Sequence, residues 1–181
     1  CILIHKDHLY PLKSHANLYC AGLDSYDQDK AKTSKSKGAM CVLIRRNMLE
    51  KQMQMAPIAT ICIRPRRKEI FYEMCLKVAV HYNLIGSVLI DVANKLIFKY
   101  FEDRGGQIYL AYRPKKFESE KSEQTHTYGF HINNHSKVLM VGLMQTSILD
   151  YVQYIWFPDL INQLQNYDEV EIGSDNDLAD A

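Results

Sequence analysis

Three short acidic segments, far apart along the chain, are where this sequence could do chemistry. Asp24 stands in GLDSYDQD with Asp27 and Asp29 nearby, Asp91 stands in VLIDVAN, and Asp175 and Asp177 stand in GSDNDLADA. Carboxylates delivered from separate rigid elements to one point suit hard divalent cations, which take oxygen ligands. A pair of such cations bridging a phosphodiester can polarise both the attacking water and the leaving oxygen, provided each is held fixed. Taken singly, each acid has an ordinary structural use. Asp24 could make an Asx-turn as the chain leaves a strand, Asp91 could cap the following helix, and Ser174 with Asp177 fits an S-x-x-D capping box. All three together, each at the end or start of an expected element, favour a shared site.

The elements that must position them can be read from periodicity. After a lead-in over residues 1–16, Asn17 to Leu23 reads as a buried strand ending at Asp24. A Lys-rich turn region then leads to a second apolar strand, Ala39 to Ile44. A third strand, Ala56 to Ile63, ends where Pro65 interrupts it. From Glu69 to Asn83, Phe71, Met74, Cys75, Val78 and Tyr82 recur at helical spacing, and Gly86 stops the run. Ser87 to Ile90 is a short strand ending at Asp91. Asn94 can cap a helix whose Leu96, Ile97, Tyr100 and Phe101 form one face, closed by Gly105 and Gly106, and Ile108 to Tyr112 reads as a fifth strand. Residues 113–135 form a polar loop or hairpin excursion. Ser136 to about Tyr154 and Asp159 to Asn166 read as helices, and Ser174 opens a last one that the chain end cuts off at Ala181.

This order predicts an α/β fold: a mixed five-stranded sheet, three antiparallel strands followed by parallel ones, flanked by helices. A helical crossover lets the Asn17 and Ser87 strands lie side by side and parallel. Asp24 and Asp91 then both sit beyond carboxyl strand ends, the usual place for a site in an open α/β sheet.

At 181 residues, 47% hydrophobic and 24% charged, the chain is expected to form a single domain, 1–181. It begins at Cys1 without Met and stops inside an expected helix, so it reads as a domain cut from a longer protein. Its apolar runs are too short for a membrane span. Cys1, Cys20, Cys41, Cys62 and Cys75 make no C-x-x-C pair and sit among aliphatic residues, as buried reduced thiols do.

The near-zero net charge hides a division. Residues 1–137 carry all 22 lysines and arginines against 13 acids, whereas residues 138–181 carry eight acids and no Lys or Arg. The bases also cluster: Lys30, Lys32, Lys35 and Lys37; Arg64, Arg66, Arg67 and Lys68; Arg113, Lys115 and Lys116. Any one cluster could be a solvated loop, but three suit a surface that meets phosphates.

The succession YCAGLD, then VLIDVAN after an amphipathic helix, then YGFHINNHSK leading into a helix, then SDNDLADA, resembles the nuclease domain of bacteriophage terminase large subunits, from about Tyr19 to Ala181. The resemblance implies an RNase H-like fold with catalytic, metal-binding acids at Asp24, Asp91 and Asp177. Two Mg²⁺ or Mn²⁺ ions would be held there, with Asp175 as an auxiliary ligand. Two departures stand out: the second acid of many relatives is Glu where this chain has Asp91, and their paired acids are spread here as Asp175-Asn176-Asp177. Lys137 matches a basic residue that opens the helix after the polar loop and could neutralise a phosphate.

The implied activity is endonucleolytic cutting of concatemeric double-stranded DNA during genome packaging, in the cytoplasm of an infected bacterial host. Implied partners are the terminase ATPase domain, the portal protein and the small terminase subunit. No G-x-x-x-x-G-K-[ST] loop occurs in the sequence, so this chain is expected to lack ATPase activity of its own. The alternatives are another RNase H-like nuclease of the junction-resolvase or transposase type, or a catalytically silent DNA-binding or motor-docking module. A sugar-kinase or actin-like ATPase would need Gly and Thr after the first acid, where Ser25-Tyr26-Asp27 stands. His126, His131 and His135 suggest solvated or DNA-facing imidazoles rather than zinc, and Trp156 with Phe157 a core or docking element.

Overall fold

The computed structural model describes residues 2–11, 17–26, 37–45, 56–91, 95–113, 128–130 and 134–165. It divides into two compact units, Cys1–His131 and Ile132–Ala181.

The first unit is built on a five-stranded mixed sheet in the order β1-β4-β3-β2-β5. Its strands are β1 (Ile2–Ile4), β2 (Tyr19–Asp24), β3 (Gly38–Ile44), β4 (Pro57–Ile63) and β5 (Val88–Ile90). β1, β4, β3 and β2 pair antiparallel in turn, and β5 lies parallel to β2. Two helices complete the unit, α1 (Lys68–His81) and α2 (Lys95–Glu102). α1 carries the chain from β4 across to β5, which is what a parallel strand at that position requires.

Alternation along the strands makes the sheet two-faced. Tyr19, Ala21 and Leu23 of β2, Met40, Val42 and Ile44 of β3, and Val88 and Ile90 of β5 are buried on one face. The facing side of α1 buries Phe71, Tyr72, Cys75, Val78 and Ala79, while α2 adds Ile97 and Phe101. Met74 and Leu96, expected on the buried faces, are half-buried and exposed respectively. Tyr72 and Ala79 occupy the core in place of Met74. The two helices are tied by Tyr100, whose hydroxyl donates to Glu73 Oε2 at 2.7 Å, and by the Arg104 guanidinium 3.7 Å from the centre of the Tyr100 ring.

The sheet departs from expectation at both edges. Ile2–Ile4, expected as lead-in, pairs with Ile61, Thr60 and Ala59. The 3₁₀ turn that follows it is held by the Tyr82 hydroxyl donating to the His8 carbonyl at 3.1 Å and by His81 Nε2, 3.0 Å from the Leu9 carbonyl. Ile108–Tyr112, expected as the fifth strand, instead contains a 3₁₀ turn over Gly106–Tyr109 and only isolated bridges at Leu110 and Tyr112. Gly105 turns the chain at φ +68°, a conformation glycine adopts without strain.

The second unit holds α3 (Asn134–Tyr151) and α4 (Pro158–Gln165), joined through a 3₁₀ turn at Val152–Tyr154. These helices agree with the sequence periodicity. Phe157 is buried and Trp156 exposed. Among the described residues no helix is long and apolar enough to cross a membrane.

Phe71 of α1 packs tightly over Gly38 of β3, where a Cβ would lie 2.6 Å from the ring. Phe71 is fully buried and cannot swing away. Gly38→Ala is therefore expected to cost about 1–3 kcal/mol by overpacking. In urea denaturation, the double variant with Phe71→Leu should lose less than the two single losses combined.

Candidate functional site

β2 and β5 run parallel in the register Ala21 with Val88, Gly22 with Leu89 and Leu23 with Ile90. The next step along both strands brings Asp24 level with Asp91. Because Leu23 and Ile90 face the core, the residues on either side of them belong to the opposite face. Both acids thus stand on that face at the carboxyl end of the pair, and Asp91 is fixed there by its own bridge to Phe130. The Phe130 amide donates to the Ile90 carbonyl at 2.8 Å.

The two charges feel each other. The Asp24 carboxyl is held above the ordinary aspartate range, first because surrounding protein strips away part of its water and then because Asp91 lies alongside. Asp24 still keeps an exposed edge, and Asp91 is half-buried. Two adjacent carboxylates open to solvent form a local excess of negative oxygen that a cation would relieve.

The chain leaving Asp24 is anchored rather than loose. Ser25 and Tyr26 are buried, and the Tyr72 hydroxyl of α1 donates to the Tyr26 carbonyl at 3.0 Å. The Tyr26 hydroxyl lies 3.4 Å from the Pro65 carbonyl, and the Arg64 guanidinium sits 4.9 Å from the centre of its ring. Tyr26 therefore ties the first acid to the basic segment after β4.

Antiparallel pairing carries that logic across the sheet. Asp24 pairs with Ala39, and Gly38 pairs with Ile63. Lys37 and Arg64, one residue beyond Gly38 and Ile63, consequently emerge at the same end as the acids. Arg66 and Arg67 follow Arg64 and are exposed, with Arg67 3.6 Å from Glu69, while Lys68 opens α1. Arg113 follows the segment whose Leu110 bridges Val88 in parallel, so it too points the chain toward this end. Its Nε is enclosed without a hydrogen-bond partner among the described residues.

Two of the three expected catalytic acids are thus brought together. Asp175 and Asp177, together with Lys30, Lys32, Lys35, Lys115, Lys116, Asp27 and Asp29, lie outside the described residues. Lys137 is half-buried near the start of α3, in the second unit. Among the described residues no group of three His, Cys, Asp or Glu side chains is placed to hold a metal ion.

Sequence reasoning missed a groove on the same face. Its volume is about 590 Å³, and Cys20, Gly22, Leu43, Arg45, Ser87, Leu89 and Tyr112 are among its lining. The one signal available was Gly22 inside a strand, which marks a place where something approaches the backbone closely.

No protein-family model, curated protein or solved structure matches the chain significantly.

Cys20, Cys41, Cys62 and Cys75 are free thiols. Burial, and then Cys20 nearby, push the Cys41 thiol up to about 12, so it stays protonated at neutral pH and is a poor nucleophile.

A folded-state pKa above the unfolded one means that ionised Asp24 destabilises the fold above that raised pKa, and that the penalty is relieved as pH falls toward the ordinary aspartate value. With a chelator present, Asp24→Asn should melt above the parent at pH 7. The gap should close on acidification. Equal melting temperatures at pH 7 would show that the pair carries no mutual strain.

Proposed function

We propose that this chain is a metal-dependent endodeoxyribonuclease of the RNase H-like type, the nuclease part of a phage genome-packaging terminase. The observation that carries the reading is the parallel pairing of β2 with β5, which sets Asp24 beside Asp91 at the carboxyl strand ends. The strand order supports it: an antiparallel β4-β3-β2 meander continued by a parallel β5 is the arrangement expected of an RNase H-like sheet.

The donor set fits a hard divalent cation, since the paired groups are carboxylate oxygens and the Asp24 carboxyl is already raised, first by burial and then by its neighbour Asp91. Asp24 and Asp91 would hold Mg²⁺ or Mn²⁺, joined on the strength of the resemblance by Asp177 and, as auxiliary ligand, Asp175. Bound there, the cation supplies Lewis-acid polarisation of the phosphodiester and activation of water. The chain's own part is placement and charge. Strand ends fixed by backbone hydrogen bonds orient the two acids, and Tyr72 and Tyr26 prevent the first from swinging away.

Lys37, Arg64, Arg66, Arg67 and Arg113 stand at the same end of the sheet and would receive backbone phosphates on either side of the acids. No motif of a base-reading helix occurs in the sequence, so cutting is expected to be indifferent to sequence. The substrate is concatemeric double-stranded DNA, and the partners are the ATPase domain, the portal and the small terminase subunit. The place of action is the cytoplasm of the infected host.

Supercoiled plasmid incubated with the chain and Mn²⁺ or Mg²⁺ should be nicked and linearised. Asp24→Asn and Asp91→Asn should each lower the rate by about 100-fold or more. Equal nicking by parent and variants would defeat the reading. Preference for a branched junction over linear duplex would indicate a resolvase-type nuclease of the same fold. A melting temperature unmoved by either metal, together with absent cleavage, would indicate a silent DNA-binding module.

A further inference from the structure

Arg45 follows β3 and is half-buried beside the groove on the open face of the sheet. One of its terminal nitrogens donates to Ser87 Oγ at 3.3 Å, and the Ser87 hydroxyl in turn donates to the Ile85 carbonyl at 2.9 Å. Among the described residues no carboxylate pairs with Arg45. An anion in the groove would give this half-buried guanidinium a counter-charge.

The rest of the lining says what kind of anion. The floor between Arg45 and the acids is Cys20, Gly22, Leu43 and Leu89, all uncharged. A Cβ placed on Gly22 would meet none of the described residues within 4 Å, so among them the space over the strand is open. At the rim Tyr112 is 52% exposed and lies against Tyr128, with ring centres 4.7 Å apart and planes at 16°. A flat, rigid aromatic surface beside an apolar floor and one cation is the combination that binds a nucleotide by stacking and by phosphate contact. The volume, about 590 Å³, lies within the size range of small-ligand sites and is far too small for a duplex.

Position relates this groove to the acids. Gly22 and Leu89 are the second residues before Asp24 and Asp91 and share their face. Ser87 precedes Asp91 by four residues, a span of about 13 Å along a strand. One oligonucleotide strand can bridge that distance, with one phosphate at the acids and another at Arg45.

We infer that the groove is a single-strand subsite: a DNA strand leaving the carboxylate pair lies along β2 and β5, places a base against Tyr112 and a phosphate on Arg45. The inference rests on the nuclease reading and adds to it. It assigns specificity for a locally unpaired strand, and gives Arg45, Ser87, Gly22 and Tyr112 a role in holding substrate.

The test is fluorescence anisotropy of a labelled single-stranded oligonucleotide on the full chain, with chelator present so that nothing is cut. Gly22→Leu puts bulk into the groove from a position where a Cβ meets no described atom within 4 Å, and Arg45→Gln removes its charge. Each should weaken binding about tenfold, and Arg45→Gln should also flatten the salt dependence. Lys99→Gln, an equal charge change on the exposed side of α2, should alter it less than about twofold. Circular dichroism and melting of each variant separate a filled groove from a damaged fold.

Parental affinity in both folded groove variants, or no measurable single-strand binding by the parent, would overturn the inference. The plasmid assay keeps the two ideas apart. Cleavage abolished by Asp24→Asn but undiminished by Gly22→Leu and Arg45→Gln sinks the subsite alone, whereas cleavage that survives Asp24→Asn sinks the nuclease reading beneath it.

Discussion

Everything about the site depends on a short stretch of parallel backbone pairing. Three residue pairs between β2 and β5 fix the level at which each strand ends, and both end in aspartate. A one-residue slip would turn one acid into the core and leave the other alone, because side chains alternate faces with a period of two. The register is held by the hydrophobic choice on the buried side: Ala21, Leu23, Val88 and Ile90 all need the core. Packing on one face thereby dictates electrostatics on the other. The repulsion that results is tolerated because the core residues resist the slip that would relieve it.

Much of this was legible in the sequence. β2, β3, β4, β5, α1 and α4 follow from period-two or helical recurrence of apolar residues, and the ends that matter are marked by Asp24 and Asp91. What escaped notice depends on partners distant in sequence. Ile2–Ile4 has too few residues to show a period and becomes a strand only because β4 offers a free edge. Ile108–Tyr112 has strand composition, yet the amide of Gly86 bonds the Ile108 carbonyl and that of Ser87 the Tyr109 carbonyl, which suits a tight turn as well as a ladder. The groove arises from residues of β2, β3, β5 and the Tyr112 segment that only the sheet order assembles.

The sheet's two faces have different chemistry for a simple reason of composition. The helix-covered side is aliphatic and aromatic and nearly devoid of polar side chains. Along β2 the other carries the short residues Cys20 and Gly22, which with Leu43 and Leu89 beside them line the groove. Short side chains make a shallow surface over which a long, thin ligand can lie, and the absence of bulk there is as much a determinant of shape as the presence of bulk in the core.

The edge strand β1 has a significance beyond its three residues. It pairs with Ala59, Thr60 and Ile61, and so covers amides and carbonyls that would otherwise run unprotected along an apolar outer strand. Bare edges of that sort recruit other copies and grow into intermolecular sheets. Protection of that edge therefore falls to the three residues of β1, on the side of the sheet farthest from the acids. Without them the outer edge of β4 would be open to pairing with another strand, while the β2–β5 register that sets the carboxylate pair would be untouched.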